Sequence, residues 1–432
     1  MENQTLFYLL GAIFFVGYVA IALEHKFRLN KSGSAIILGS LLWLIVNIFS
    51  GFDHEVGEAL SHETQDIFGI VVFLLAAMTI VEVLVHYKFF DWIQEEIVKR
   101  KFSQAGLWWF LGLITFVMSA LLDNLTTTLI MIQIGRHIYK HKSNFLLYVV
   151  SVVIAANAGG AASPIGDVTT IMLWLAGKFS AAEVISIGIL PSAVSFIIPH
   201  FLIGRRIKAH ESAENAHPGY DIIDEKKVQP YWSIVIVGLF SFILPVIFNL
   251  IGLPPFLGLL TGVGLLWIVT DIKFRRDHET AEEGKIVNII QKADLSTLKF
   301  FIGILLAVGA LSHAGLLGTL NDFIFGTELN INRLIFGNTV LGLISSILDN
   351  VPLVAAAIKM FPEAITANIW VLLAFTAGTG GSLLVIGSAA GVAAMGQVKE
   401  LNFGYYLKKA TLPALAGYAG GVLTWYIFNA LT

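Results

Sequence analysis

The chain has no cysteine, which excludes disulfides and thiolate metal sites. Charge is also scarce. Asp, Glu, Lys and Arg make up only 13% of the 432 residues, against 56% hydrophobic residues, and the mean hydropathy is +0.79. This lies far outside the composition of a soluble globular domain, so the chain reads as a polytopic, all-α membrane protein. A net charge of −3 without a basic tract gives no ground for a nucleic-acid partner. There is no hydrolase triad, no HExxH and no Gly-rich phosphate loop. Enzyme chemistry, a bound cofactor and nucleotide-driven transport are therefore not expected. The N-terminus, MENQTLFYLLGAIFFVGYVAIALEHK, lacks a basic n-region and a small-residue cleavage site, and reads as a first span rather than a removed leader. Present in quantity are 40 glycines and 31 phenylalanines, which suit close helix packing and lipid-facing surface.

Apolar runs near the ~20 residues needed to cross a bilayer lie at 5–23, 33–50, 66–87, 145–177, 183–204, 231–250, 255–270, 298–317, 366–397 and 404–428. Two more, 104–138 and 331–361, are each divided by an Asp-Asn pair, in LLDNLTTT and SILDNVPL. The most soluble segments are 205–229 and 271–297, where His217 and the acidic residues read as solvated surface. Positive charge on short loops marks the cytoplasmic side. Lys26, Arg28 and Lys31 place the first loop inside, the acidic loop GFDHEVGEALSHETQD lies outside, and the N-terminus is outside. Lys88, Lys99, Arg100 and Lys101 precede the first divided run, and Arg136, Lys140 and Lys142 follow it, so it enters and leaves on the inner side. Arg205, Arg206, Lys208, Lys273, Arg275, Arg276, Lys399, Lys408 and Lys409 fit the same orientation, and the second divided run opens outward. With tips as apolar as Leu-Leu-Asp-Asn-Leu, re-entrant hairpins that turn within the membrane fit better than paired full spans.

The sequence also repeats. HYKFFDWI parallels HAGLLGTL, LLDN at 121–124 parallels ILDN at 347–350, ANAGGAASPIGD at 156–167 parallels AGTGGSLLVIGS at 377–388, and LPSA parallels LPAL, all in the same order. One hairpin opens inward and the other outward, so the repeats are related by inversion, a recurrent secondary-transporter plan. Gly159, Gly160, Pro164 and Gly166 in one copy, and Gly378, Gly380, Gly381 and Gly387 in the other, interrupt what would be single helices. About 11 transmembrane helices, two re-entrant hairpins and two broken helices are expected. The division expected is 1–65 as N-terminal scaffold helices and 66–204 as repeat 1, with its hairpin at 104–138 and broken helix at 145–177. Residues 205–297 follow as linkers plus connecting helices at 231–270, then 298–432 as repeat 2, with its hairpin at 331–361 and broken helix at 366–397.

An ionised carboxylate at the bilayer centre costs roughly 2.5 to 3.5 kcal/mol on insertion scales. Asp123, Asp167 and Asp349 are therefore candidates for function. Burial and mutual repulsion let such carboxylates trade a proton for a cation near neutral pH, although each could also cap a half-helix. Asn124, Asn157, Ser163, Thr169, Thr170, Asn350, Thr379, Ser382 and Ser388 supply hard oxygen ligands suited to a small hard cation. Glu82, His86 and His313 are weaker candidates for pH sensing or proton relay, more simply read as packing residues. Lys359 could snorkel to the outer surface and Trp108 with Trp109 could anchor the interface. Neither Asp-Asn tip has an Arg or Lys beside it in sequence.

With LLDNLTTT, ILDNVP, NAGGAASPIGDVTT and GTGGSLLVIGSAAG in view, the chain resembles the NhaD-type sodium/proton antiporters of the ion transporter superfamily, over nearly its whole length and in motif order. The superfamily also holds dicarboxylate/sodium symporters and arsenite carriers. The resemblance implies hairpins, broken helices and a homodimer formed by a scaffold domain. It implies Na+ or Li+ leaving and H+ entering across a bacterial inner membrane, or an organellar membrane as the alternative. The symporters carry Ser-Asn-Thr at their tips, where this chain has Asp123-Asn124-Leu125-Thr126 and Asp349-Asn350-Val351-Pro352. An acidic tip repels a carboxylate substrate and favours cations. Sodium-coupled uptake of a small anion or metabolite is the second reading.

Overall fold

The computed structural model describes residues 2–22, 24, 29–100, 102–139, 141–207, 229–275, 286–291, 293–326, 330–361 and 365–431. Lys26, Arg28, Lys101, Lys140, Lys208, Arg276 and His217 lie outside the described residues. The described residues are helical throughout, with turns between helices and no strand. Among the described residues eight helical spans are long and apolar enough to cross a membrane, with 232–250 counted as one, and shorter apolar helices complete the bundle.

Three helices open the chain: α1 (Glu2–Ala22), α2 (Lys31–Phe49) and α3 (His54–His86). The acidic stretch expected as an outer loop is largely the first third of α3. Asp53 caps it by accepting from the Glu55 N–H, and His54–Glu58 and His62–Asp66 pairs stand one turn apart along it, so i,i+4 pairing carries the helix beyond the apolar run. Lys88, in the left-handed conformation with φ 60°, then turns the chain into the amphipathic α4 (Phe89–Lys99). Much later the same step recurs: α14 (Leu295–His313) turns at Gly315, φ 78°, into the amphipathic α15 (Leu316–Ile324). These turns fall on the matched motifs HYKFFDWI and HAGLLGTL, but the two short helices were not anticipated.

The first hairpin is α5 (Gln104–Leu121) and α6 (Asn124–Ile138), followed by α7 (Lys142–Gly160), an irregular link, α8 (Val168–Leu175) and α9 (Ala181–Gly204). Between the repeats stand α10 (Trp232–Ser241), α11 (Leu244–Leu250), α12 (Pro255–Phe274) and the short α13 (Ile286–Ile290). The run 231–250, expected as one helix, breaks at Phe242–Ile243, just before Pro245, which lacks the N–H to continue the ladder. After α14 and α15 come the second hairpin, α16 (Ile331–Ile344) and α17 (Asn350–Met360), then α18 (Ala367–Gly380), a link, α19 (Ala389–Gln397), α20 (Phe403–Lys409) and α21 (Thr411–Leu431). Thus the run 404–428 is also divided, at Ala410.

Glycine makes the two halves pack alike. A Cβ on Gly159 of α7 would strike the Phe116 carbonyl of α5, and one on Gly380 of α18 would strike the Gly342 carbonyl of α16. In the links, Gly160 abuts Gly166 just as Gly381 abuts Gly387, and Gly166 faces the Ser119 carbonyl as Gly387 faces that of Ser345. Ser119 donates to the Ala156 carbonyl, and Ser345 donates to the Ala377 carbonyl at 2.8 Å. Each hairpin is thereby fixed against the broken helix of its own repeat, through positions that correspond in the repeat alignment. Outside this pair, α2 packs on α14 where Gly39 and Gly303 let backbones touch, and α9 packs on α21 at Gly417, Gly420 and Gly421.

Candidate functional site

Both hairpin turns arrive at one side chain. Asp167 is buried and caps α8, its Oδ1 accepting from the Thr169 N–H at 3.1 Å, while Thr170 Oγ1 accepts from the Asp167 N–H at 3.3 Å and donates back to its carbonyl at 2.8 Å. Its Oδ2 accepts from Asn124 Nδ2 of the first hairpin at 2.9 Å, and Asn350 Nδ2 of the second hairpin lies 3.3 Å from both carboxylate oxygens. At α16 and α17 the second hairpin has arms of 14 and 11 residues, ~21 and ~17 Å at 1.5 Å per residue. These arms bring the second tip to the carboxylate that the first hairpin also reaches.

Asn157, near the end of α7, joins the repeats. Its Oδ1 accepts from Asn124 Nδ2 at 3.0 Å, and its Nδ2 donates to Ser382 and Ser388 Oγ, each at 2.9 Å. Ser388 caps α19 by accepting from the Gly391 N–H at 3.2 Å, as Asp167 caps α8. Asn124, Asn157, Asp167, Asn350, Ser382 and Ser388 therefore form one buried hydrogen-bonded group drawn from two hairpin tips and two interrupted helices. Gly378, the counterpart of Asn157, stands with its would-be Cβ 3.6 Å from Asp167 Oδ2, leaving the carboxylate unobstructed on that side. The Thr127, Thr128 and Thr169 hydroxyls are buried without a hydrogen-bond partner.

The remaining expected residues sit on their own elements. Asp123 and Asp349 cap α6 and α17, accepting from Thr126 N–H at 2.7 Å and Val351 N–H at 3.1 Å; the adjacent asparagines, not these aspartates, hydrogen-bond Asp167. Among the described residues no three His, Asp or Glu side chains form a metal-holding cluster, so the three aspartates do not make a carboxylate cage. Ser163 donates to the Ala120 carbonyl beside the first tip, and Thr379 donates to the Phe375 carbonyl one turn back at 2.6 Å. Glu82 and His86 lie in the last turns of α3, and His86 sets its ring against Tyr87 at 4.9 Å. His313 ends α14 with its ring 5.7 Å from Trp43.

Three expectations change. Lys359 does not simply snorkel: its Nζ pairs with Glu63 at 2.7 Å and Asp66 at 3.4 Å, on the helical extension of α3. Trp108 is no interfacial anchor, since it is buried, stacks on His200 at 4.4 Å and donates to the His200 carbonyl at 3.1 Å; Trp109 remains part-exposed beside the same ring. No cation neighbours a tip in sequence, but folding brings Lys31, at the start of α2, within electrostatic range of Asp349. Residues that sequence reasoning missed are Tyr18, whose Oη accepts from the Asp349 N–H at 2.9 Å, and the Ser119 and Ser345 pair. The serines could have been found, because they occupy the same offset before each Asp-Asn; Tyr18 carries no sequence signal toward the tip.

An all-helical membrane bundle in which two hairpin tips and two broken helices converge on polar side chains has the build of a secondary transporter. Residues 4–380 match the family model described as citrate transporter. The chain is 38% identical to sodium/proton antiporter 1 of Arabidopsis thaliana, over 98% of its own length and 72% of that protein's. It is 36% identical to sodium/proton antiporter 2 of the same plant, over 96% and 98%, and 31% identical to the Na(+)/H(+) antiporter NhaD of Vibrio cholerae serotype O1, over 99% and 93%. The chain belongs to the citrate transporter family and groups there with the NhaD-type sodium/proton antiporters.

Proposed function

We propose that the protein is a secondary antiporter that exports Na+, and Li+ by the same chemistry, in exchange for H+, with Asp167 as the side chain both ions use. The observation that carries this reading is a buried carboxylate contacted by carboxamides from both hairpins. A charge placed there is costly unless it is neutralised. A proton or a small cation each neutralises it, so the two compete. Asn124, Asn157 and Asn350 can turn their carboxamides to present oxygen in place of nitrogen, and the Thr169 hydroxyl, on the helix that Asp167 caps, adds an oxygen donor. Ser163, Thr170, Thr379, Ser382 and Ser388 shape the same group, with Asp123 and Asp349 holding the tips and adding negative field.

Exposure of Asp167 then alternates between the two faces through an elevator-like or rocking movement. In this reading residues 1–65 and 205–297 supply the scaffold and a homodimer contact within the lipid bilayer, 66–204 and 298–432 carry the ion, and the N-terminus faces outward. A bacterial inner membrane is the setting proposed, with an organellar membrane as the alternative suggested by the plant relatives. Coupled uptake of a small anion is less well supported, because the buried group holds hydroxyls, carboxamides and a carboxylate but no Arg or Lys. Everted vesicles test the proposal: sodium should discharge an imposed pH gradient with the native chain and fail to do so with Asp167→Asn. Sodium-dependent discharge at the native rate in that variant would remove Asp167 from the role.

A further inference from the structure

The two hairpins are held by different parts of the molecule. The first is bound within the repeats: Trp108 of α5 exchanges hydrogen bonds with His200 of α9, and Arg136 of α6 donates to the Gln397 carbonyl at the end of α19. The second is tied to the N-terminal helices at both of its ends. At the tip the Asp349 N–H donates to Tyr18 Oη of α1 at 2.9 Å. At the far end of α17, Lys359 pairs with Glu63 at 2.7 Å and Asp66 at 3.4 Å on α3. Glu63 and Lys359 are largely covered, with side chains 14% and 25% exposed, whereas Asp66, at 52%, also faces His62 at 3.7 Å.

Between these ties the second hairpin does not pack against α1. An apolar cavity of about 920 Å³ separates them, lined by Phe14, Tyr18, Leu316, Ile347 and Pro352 among others. Two polar ties across an open apolar groove can be made and broken without repacking a core. They also set what the hairpin delivers, since Asn350 follows Asp349 directly and reaches Asp167 from this tip.

We infer that Tyr18 and the Lys359–Glu63–Asp66 group are positioning elements for the exchange reaction: they dock the second hairpin on α1 and α3 in one half of the transport cycle and release it in the other. This rests on the antiporter reading above and names what controls access to that same carboxylate.

The absence of cysteine makes a direct test available. Glu63→Cys with Lys359→Cys places two thiols across the outer tie in an otherwise thiol-free protein, and a cleavable bifunctional thiol reagent then joins them in proteoliposomes. Joining should stop sodium-driven proton movement, and reductive cleavage should restore it. Full exchange by completely joined protein would overturn the inference. If the native chain, reconstituted in the same way, moves no protons on sodium addition, the antiporter reading is what fails. Spin labels at Thr64→Cys and Ile358→Cys, beside the tie and leaving it intact, still decide docking in that case: two inter-label distances whose proportions shift between sodium-loaded and acidic conditions support it, and one invariant distance refutes it. Charge reversal gives an independent check. Lys359→Glu should lower turnover by about tenfold, the equivalent of one strong polar contact, and adding Glu63→Lys should bring it back to within about twofold; no recovery would count against the pairing.

Discussion

The two repeats are built on the same backbone plan and differ in chemistry at the point where that plan matters most. Ser119 and Ser345 bind the same carbonyl of their own broken helix, and Gly159 and Gly380 admit the same close approach. At the two positions beside the crossing of the broken helices, however, the first repeat has Asn157 and Asp167 and the second has Gly378 and Ser388. Duplication supplied the frame and the tip aspartates twice, and the carboxylate of the interrupted helix once. The consequence is a single central carboxylate, with the second repeat contributing space at Gly378, hydroxyls at Ser382 and Ser388, and a carboxamide at Asn350.

The two repeats should respond most differently at their unequal position. Asp167→Asn should lower exchange by about 100-fold or more, because the group loses its only charge and its proton carrier, whereas Ser388→Ala at the equivalent position should cost much less. Ser388 Oγ accepts two hydrogen bonds, from Asn157 and from the Gly391 N–H, so its loss stays within about tenfold; flux in proteoliposomes measures both variants, and equal losses would mean that the repeats share the ion. Next in size are the equal positions. Gly159→Ala and Gly380→Ala each drive a methyl group into a backbone carbonyl, so each should destabilise the protein by about 1–3 kcal/mol, seen as a matched fall in thermal unfolding temperature in detergent. Gly378→Ala meets only Ala161 Cβ at 3.2 Å and the Asp167 carboxylate at 3.6 Å, so it should leave stability nearly intact and weaken sodium affinity. Asn157→Ala removes three hydrogen bonds that tie the repeats together and should raise the sodium KM by about tenfold. The smallest effect is the matched pair Ser119→Ala and Ser345→Ala, about 1 kcal/mol each in stability, alike to within experimental error if the two hairpins are anchored alike.

Much of the frame could be read from residues. Glycine and proline marked the breaks in α7–α8 and α18–α19, and the Asp-Asn pairs marked the turns of the hairpins, because helix interruption and buried charge leave strong local signals. The helical extension of α3 was hidden by its polarity: hydropathy reports where lipid begins, while i,i+4 pairing let the helix continue past it. The site was legible as a set of residues but not as a set of bonds. Asp123, Asp167 and Asp349 looked equal and each caps its own helix, yet only Asp167 also receives the carboxamides of both tips. Side-chain direction at a tight turn depends on the backbone angles of that turn, which spacing does not reveal. Tyr18, 331 residues from Asp349 along the chain, and Lys359 with Glu63 were illegible for a simpler reason, since only the packing of distant helices brings them together.

The central claim is that sodium and protons exchange at Asp167. Calorimetric titration of the purified protein with sodium, repeated in buffers of different ionisation enthalpy, reports how many protons leave as the ion binds. The account predicts proton release on binding to the native chain, an apparent sodium affinity that weakens as pH falls and protons occupy the carboxylate, and neither binding nor release in Asp167→Asn. Sodium binding to Asp167→Asn with native affinity and undiminished proton release would contradict it.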